Sequence, residues 1–386
     1  MRWIVLMFCA LVVGSDHPFC CGAVKNTEGA VEPAPKPEEL RQLFSALFAR
    51  WDRNQDGRLD SKEINAVIGD PAVRGRESVI AVLLQRQLRA DKEAEANGIS
   101  RERLLALADA PQTQQTIARG VRQIGAINRA AFLPGDPDLS LFHQGRMGDC
   151  YLLSAVGAFA YHHPQQVRRM IRALPGGYFE IRFTKGRNVV VAPVTDAELL
   201  MGAREGADHG IWLSILEKAY AEVRKGNIAQ KTGQEPDADE TDVKDLIGHG
   251  GRSDPVIELL TGHKCERVPL GIWFQQNPGT GIAKAHGLLA KLSNERRLMT
   301  VGTSGDKTQV LPKGLIHGHG FAVLEYNAAG RKARLFNPWG NHFEPGGEPG
   351  MVNGYPTDHG VFDVPLRDFL RVFRRVAHET GKGVER

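Results

Sequence analysis

The chain has 386 residues, of which 42% are hydrophobic and 24% are charged, and its formal net charge is +4. These values are typical of a globular protein of two or three domains, and no run of Lys or Arg predicts nucleic-acid binding. Five cysteines in a chain of this length exclude a disulfide-rich scaffold.

The chain begins with a short apolar run. Arg2 precedes residues 3–13, none of which is charged. Such a run after a charged start is typical of a secretory signal, and it is shorter than the ~20 residues of a membrane-spanning helix. We predict a signal peptide over 1–23 and a secreted, periplasmic or cell-envelope protein. The alternative is that the run is kept as an anchor, so that membrane attachment would occur only through the N-terminus.

A linker and a helical module are predicted next. Residues 24–37 are rich in Pro, Glu, Ala and Lys, which favours an extended linker. Apolar side chains then recur at steps of three and four residues and predict one face of a helix. They are Leu40, Leu43, Phe44, Leu47, Phe48 and Trp51. The helical module is predicted over 38–108.

Residues 52–63 match the twelve-residue calcium loop of an EF-hand. Gly57 permits the sharp turn of such a loop, and Leu59 occupies its apolar pairing position. The predicted ligands are the side chains of Asp52, Asn54, Asp56, Asp60 and Glu63 and the backbone carbonyl of Arg58. Ca²⁺ is therefore the predicted cofactor, and a polar turn without metal is the alternative.

A second loop follows near Asn97-Gly98-Ile99. If Ile99 takes the apolar position, Arg103 stands where a bidentate Glu would be required. The segment therefore predicts either a degenerate loop that pairs with the first and binds no metal, or an ordinary helix–turn–helix.

A Pro- and Gly-containing turn at 133–137 predicts the start of the main domain. Beyond it, helical patterns mix with strand-like runs, and the polar, acidic segment 226–245 is predicted to be an inserted surface loop. The predicted strand pairs are 179–183 with 189–192 and 321–326 with 333–336.

Residues 144–153 place a cysteine at the start of an apolar helix, after a tight loop with two glycines. The positive end of the helix dipole and free backbone N–H groups favour the thiolate of Cys150, which is the reactive form. Gln144 is predicted to donate to an oxyanion beside the Cys150 N–H. The alternative is an inert cysteine that caps a buried helix.

A base and an orienting group for this cysteine are predicted downstream. His319 lies between two glycines at the start of a predicted strand, and Asn337-Pro338-Trp339-Gly340 follows the next strand. Two antiparallel strands can bring His319 beside Asn337, whose oxygen would hold the imidazole while Trp339 covers the hydrogen bond. The alternatives are a structural histidine and a plain turn.

The order of these motifs resembles the protease core of the calpain family, over roughly residues 136–378. Supporting matches are Trp212, residues 216–221, residues 360–362 and residues 368–370. The resemblance implies an α+β fold: a papain-like two-subdomain cysteine protease core preceded by the helical EF-hand module. Cys150 would lie in a first subdomain over 130–296, and His319 and Asn337 in a second over 297–386. It also implies Gln144 in the oxyanion hole and Trp339 as a shield of the histidine–asparagine pair.

The activity implied by the resemblance is that of a calcium-dependent-type cysteine endopeptidase acting on proteins or peptides. Leu141 occupies a position where calpains often carry an aspartate that binds calcium in the protease core, so calcium is predicted only at the N-terminal loop. Two other functions remain open: an inactive calcium-binding scaffold, and another Cys–His acyl transferase such as a transglutaminase or a cell-wall amidase.

Overall fold

The fold is that of a computed structural model, in which residues 36–205, 210–233 and 246–383 are described. The predicted signal peptide and nearly all of the predicted linker lie outside these ranges. No helix within them is both long enough and apolar enough to cross a bilayer.

The first part of the described chain is helical. It contains α1 (Pro37–Trp51), α2 (Ser61–Gly69), α3 (Arg76–Ala90), α4 (Lys92–Asn97), α5 (Arg101–Ala108) and α6 (Pro111–Ala126). The apolar face predicted for α1 is buried in the core that these helices share, because its side chains recur once per turn. Two short strands, β1 (Arg58–Leu59) and β2 (Ile99–Ser100), pair antiparallel with Leu59 opposite Ile99, so the two loops lie side by side.

A first lobe packs around α7 (Cys150–His162), whose residues 151–160 are all buried. The remaining elements of this lobe are β3 (Phe142–His143), α8 (Pro164–Met170), β4 (Ile171–Ala173), β5 (Phe179–Arg182), β6 (Asn188–Val191), α9 (Asp196–Met201), β7 (Arg204–Glu205), α10 (Trp212–Thr232) and α11 (Asp254–Thr261). The predicted pair β5 and β6 forms, with Phe179 opposite Val191.

A second lobe is built on a sheet with the strand order β12-β11-β10-β9-β13-β8. Its strands are β8 (His263–Val268), β9 (Met299–Gly302), β10 (Gly320–Asn327), β11 (Lys332–Phe336), β12 (Val361–Pro365) and β13 (Val376–Gly383), and its helices are α12 (Leu270–Gln276), α13 (Pro278–Asn294) and α14 (Leu366–Val372). Each strand pair in it is antiparallel, and β10 pairs with β11 as predicted.

The structure changes two boundaries that the sequence predicted. Residues 263–296 belong with the second lobe, because β8 pairs with β13 and the apolar faces of α12 and α13 pack under the same sheet. The sequence placed them in the first subdomain, since a pairing between residues more than a hundred positions apart leaves no local pattern. The predicted loop 226–245 is also wrong in its first part, because α10 continues to Thr232.

The short helix α9 joins the N-terminal helices to the first lobe. Ala197 and Met201 pack in the core of the N-terminal helices, and Thr195 Oγ1 donates to the carbonyl of Ile68 at 2.7 Å. The carbonyl of Met201 in turn accepts from the N–H of Arg146 at 2.7 Å. One helix therefore touches both the N-terminal core and the loop that precedes Cys150.

Candidate active site

The loop before Cys150 is held by close contacts between backbones. Gly145 lies against the carbonyls of Met201 and Gly202, where a Cβ would be 2.0 and 2.2 Å from their oxygens. Gly148 lies against Gly248, whose carbonyl accepts its N–H at 3.0 Å. The two glycines of the motif are thus required by space, and they fix the path of the chain into α7.

Cys150 is the first residue of α7, and its side chain is half-buried. Burial raises the pKa of the Cys150 thiol above its usual value, and the charge of Asp149 adds to this. Hydrogen bonds from the backbone N–H groups of Gly320, Tyr151 and Cys150 itself lower the pKa but do not reverse the shift. The backbone N–H groups at the helix start therefore favour the thiolate, as predicted, but desolvation of the charged form outweighs them in the free thiol.

His319 and Asn337 are joined by a hydrogen bond between imidazole Nε2 and the Asn337 side-chain oxygen, 2.7 Å apart. That oxygen also accepts the N–H of Trp339 at 3.1 Å, and the Asn337 amide nitrogen donates to Asn341 at 2.8 Å. Since the Asn337 oxygen accepts, Nε2 carries a hydrogen and Nδ1 is left as the base. Burial lowers the pKa of His319, and the hydrogen bond that the imidazole donates to Asn337 partly offsets this.

Trp339 lies over the imidazole, with ring centroids of Trp339 and His319 4.8 Å apart. The side chain is 41% exposed, so one face meets solvent while the other covers the histidine. Phe321 closes a second side of the same imidazole edge-on, at 5.0 Å. The histidine–asparagine bond is therefore shielded from water.

Cys150 and His319 line one groove between the lobes. The backbone N–H of Gly320, the residue after the histidine, reaches the sulfur, and a Cβ on Gly320 would lie 3.1 Å from the carbonyl oxygen of Cys150. The structure gives no hydrogen bond between sulfur and imidazole. It brings Cys150, His319 and Asn337 close together, but the thiol and the imidazole are not in hydrogen-bond contact.

Gln144 lies beside this loop, but its amide is turned inward. The amide nitrogen donates to the carbonyl of Met147 at 2.7 Å and to Asp149 Oδ1 at 3.0 Å, so both of its hydrogens are used. Gln144 Oε1 is buried without a hydrogen-bond partner. The predicted role in an oxyanion hole would require the amide to leave these two acceptors.

A buried pair of carboxyl groups lies behind Cys150, and sequence reasoning missed it. Asp149 and Glu217 are both buried and hydrogen-bonded to each other, which requires a proton on one of them. Burial raises the pKa of Asp149 to about 6, while burial and the charge of Asp149 raise the pKa of Glu217 well above its usual value. The other contact of Glu217 is the N–H of Ala203, which both carboxyl oxygens accept at 2.8 and 3.0 Å. The one signal visible beforehand is that Glu217 stands among mostly apolar residues in 212–221.

The predicted calcium loop folds around its own backbone. Asp52 accepts the N–H groups of Asp56 and Gly57 at 3.2 and 3.1 Å. Glu63 Oε1 accepts the N–H of Arg53 at 2.7 Å, and Glu63 Oε2 accepts that of Asp60 at 3.2 Å. Carboxylate and carbonyl oxygens are the donors that calcium prefers. Across the described ranges, however, no three His, Cys, Asp or Glu side chains are arranged to hold a metal ion. The donor chemistry fits calcium, and the arrangement would have to tighten to bind it.

Comparison with known proteins gives one family. A family model described as calpain family cysteine protease matches residues 108–348, more than half of the chain. A calpain-type cysteine protease of Arabidopsis thaliana is 26% identical over 285 residues, covering 66% of this chain and 12% of that protein. The calpain-1 catalytic subunit of Gallus gallus is 27% identical over 281 residues, covering 64% of this chain and 36% of that protein. The chain thus spans between about an eighth and about a third of the length of these relatives.

Proposed function

Because this chain belongs to the calpain family of cysteine proteases, we propose that it is an endopeptidase in which Cys150, His319 and Asn337 form the catalytic triad. The observation that carries the proposal is the 2.7 Å bond between His319 Nε2 and Asn337, in the groove that Cys150 also lines. This bond leaves imidazole Nδ1 free to accept a proton. Protein and peptide chains are the substrates that follow from the family.

In the first half of the reaction, His319 Nδ1 takes the thiol proton and the Cys150 sulfur attacks the carbonyl carbon of the scissile peptide. The carbonyl oxygen becomes an oxyanion, which the backbone N–H of Cys150 can stabilise because it lies at the start of α7. The imidazolium then gives its proton to the leaving amine, and an acyl group remains on the sulfur. Asn337 keeps the ring orientation through both proton transfers.

In the second half, His319 takes a proton from water, and the resulting hydroxide attacks the thioester carbonyl. The bond to sulfur breaks, the carboxylic acid product leaves, and the imidazolium gives its proton to the Cys150 thiolate, which restores the thiol and the neutral imidazole. Gln144 serves as a second oxyanion donor in this proposal once its amide turns from Met147 and Asp149. Loss of one such donor typically lowers the rate about 10²–10³-fold.

The proposal includes a movement that brings Cys150 and His319 into contact. While the two groups are apart, burial disfavours both the thiolate of Cys150 and the imidazolium of His319. A contact between sulfur and imidazole would stabilise the two charges together. Substrate that bridges the lobes would draw the groups into that contact.

The test compares the chain with Cys150→Ala and Cys265→Ala, the second being the matched control at the other free cysteine of the described residues. Casein cleavage should vanish in Cys150→Ala and persist in Cys265→Ala. A thiol-reactive epoxide should label Cys150, located by mass spectrometry of the digested chain. Casein cleavage by Cys150→Ala would refute the assignment.

The same assay separates the other two functions. A chain that neither cleaves casein nor labels at Cys150, with or without calcium, would be an inactive scaffold. A chain that joins an added amine to casein in place of hydrolysing it would be an acyl transferase.

We also propose that residues 52–63 bind calcium, with Asp52, Asn54, Asp56, Arg58, Asp60 and Glu63 as ligands. The supports are their oxygen donors and the pairing of the loop with a neighbour through Leu59 and Ile99. Calorimetric titration of the whole chain should give a Kd of about 10⁻⁴–10⁻³ M, as for extracellular modules. Asp56→Ala should weaken it, and no heat in the unchanged chain would refute the site.

Export through the apolar N-terminal run is proposed on the sequence alone. N-terminal sequencing of the protein recovered from its source cells should show a start near residue 24. A start at Met1 would favour the anchor instead.

A further inference from the structure

The groove that holds Cys150 and His319 has a basic wall. It encloses about 300 Å³, and three of its lining side chains are arginines while one is acidic. The charged lining residues are Arg252, Arg267, Arg375 and Asp254. A peptide substrate that enters the groove therefore passes an excess of positive charge.

Only part of this charge is neutralised within the protein. Arg252 binds Asp254 through two parallel contacts, Nε to Oδ1 at 2.9 Å and a terminal nitrogen to Oδ2 at 2.5 Å. Arg267 and Arg375 are exposed, and neither has a hydrogen bond or ion pair to any residue in the described part of the chain. Their positively charged guanidinium groups are available to a ligand.

The sheet register places both arginines on the face that looks toward Cys150. One row of residues crosses four neighbouring strands of the sheet, each residue directly opposite the next. The row is Arg267 on β8, Ala377 on β13, Thr300 on β9 and Ala322 on β10. Residues directly opposite one another across strands point to the same face, as do residues two apart on one strand. Arg375 precedes Ala377 by two and Gly320 precedes Ala322 by two, so both share this face.

The distances suit an extended peptide. Gly320 touches Cys150, and β13, which begins directly after Arg375, is two strands away from the strand of Gly320 in the order β10-β9-β13. Neighbouring strands are about 4.8 Å apart and an extended peptide advances about 3.3 Å per residue, so Arg375 lies about three residues from the scissile bond. Arg267, one strand further, extends the basic wall outward.

We propose that Arg267 and Arg375 select substrates with Asp or Glu about two to four residues from the bond that is cut. Carboxylates match the planar guanidinium through two parallel N–H contacts, which neutral or basic side chains cannot reproduce. The inference rests on the proposed peptidase function and adds a substrate class that family membership does not supply.

The experiment measures kcat/KM of the whole chain on internally quenched peptides of one sequence, with Glu, Gln or Lys placed at one position at a time. The expected preference for Glu over Gln is about twofold to fivefold at the best position, as for a surface ion pair, and should shrink in 0.5 M NaCl. The double variant Arg267→Gln/Arg375→Gln should lose the preference, so that its kcat/KM values on the Glu and Gln peptides become equal.

Arg374→Gln is the matched control. It changes the same charge one residue away, and Arg374 does not line the groove. The control should keep the preference for Glu. Equal loss in Arg374→Gln and the double variant would mean that net charge, and not the two arginines, sets the preference, and this would overturn the proposal.

A binding measurement keeps the inference separate from the peptidase assignment. Fluorescein-labelled Glu and Gln peptides are titrated with the Cys150→Ala chain and with the same chain carrying both arginine substitutions. Tighter binding of the Glu peptide to the first chain alone supports the basic wall even if no peptide is cleaved. Equal binding of the two peptides to the first chain overturns it, even if casein is cleaved.

Discussion

The histidine side of the groove differs from the cysteine side in how its buried polar groups are satisfied. On the histidine side, Asn337 links His319, Trp339 and Asn341 through hydrogen bonds of 2.7 to 3.1 Å. On the cysteine side, Gln144 Oε1 is buried without an N–H or O–H donor. Because buried polar groups are costly when unpaired, the cysteine side has more to gain from rearrangement. We infer that the histidine side is preorganised by its sheet and that the cysteine side adjusts when substrate binds.

Removal of the base should give the largest effect. His319→Ala should lower kcat/KM on a peptide substrate by about 10²–10⁴-fold, because proton transfer by a positioned side chain contributes that much. The control is His317→Ala, two residues earlier and half-buried, which should change kcat/KM little. Similar losses in both variants would show that this stretch of chain, and not the imidazole of His319, matters.

Loss of the orienting group should cost less. Asn337→Ala leaves the buried Nε2–H of His319 without its acceptor, so kcat/KM should fall about 10- to 100-fold. Asn341→Ala, which removes only the acceptor of the Asn337 amide, should lower kcat/KM less. If the Asn341 variant were the slower of the two, the histidine side would not be organised around Asn337.

A larger residue in the loop before Cys150 tests whether close backbone contacts hold the cysteine side of the groove in place. Gly145→Ala places a methyl group about where the carbonyls of Met201 and Gly202 lie, and should reduce the free energy of unfolding by about 1–3 kcal/mol. The control is Gly226→Ala on the exposed face of α10, where nothing lies within 4 Å and where helix propensity predicts a gain of about 0.5–1 kcal/mol. Denaturant unfolding measures both, and an unchanged stability in Gly145→Ala would show that the loop can move aside.

The carboxyl pair predicts a small dependence of stability on pH. Burial raises the pKa of Asp149 from 3.8 to about 6, so the folded chain holds a proton that the unfolded chain releases between these values. The contribution of Asp149 to the free energy of unfolding is therefore complete below pH ~4 and is lost as the pH rises through about 6. The pKa of Glu217 is also raised, so the loss of stability continues at higher pH.

Glu217→Gln removes one of the two titrations, so its Tm should fall less than that of the unchanged chain between pH 4 and 9. Glu222→Gln, an exposed change on the same helix, should follow the unchanged chain. Parallel curves for all three proteins would show that the pair does not share a proton.

The sequence predicted much of the histidine side, because its geometry follows from a strand pair and a turn. His319 and Asn337 lie 18 positions apart, directly before β10 and directly after β11, and the apolar runs that form these paired strands are visible in the sequence. Cys150 could be placed at a helix start for the same reason, since an apolar helix follows a glycine loop.

What the sequence could not supply comes from contacts between distant segments. Asp149 meets Glu217 only after α7 and α10 pack, and the inward turn of the Gln144 amide depends on that carboxyl pair. The raised pKa of Cys150 likewise reflects burial by neighbours that no local pattern names. The pairing of β8 with β13 moved the lobe boundary for the same reason.

The position of β13 in the sheet determines how far the chain can be shortened without loss of the fold. β13 lies between β9 and β8 and is formed by residues 376–383, beyond the segment 108–348 that matches the family. A fragment trimmed to that match would lose β12 as well, would leave β8 without a neighbour, and would expose Met201 and Ala197 by removing the helices that cover them. The segment that matches the family is therefore shorter than the segment that must fold together, and expression of the protein should keep residues 36–383.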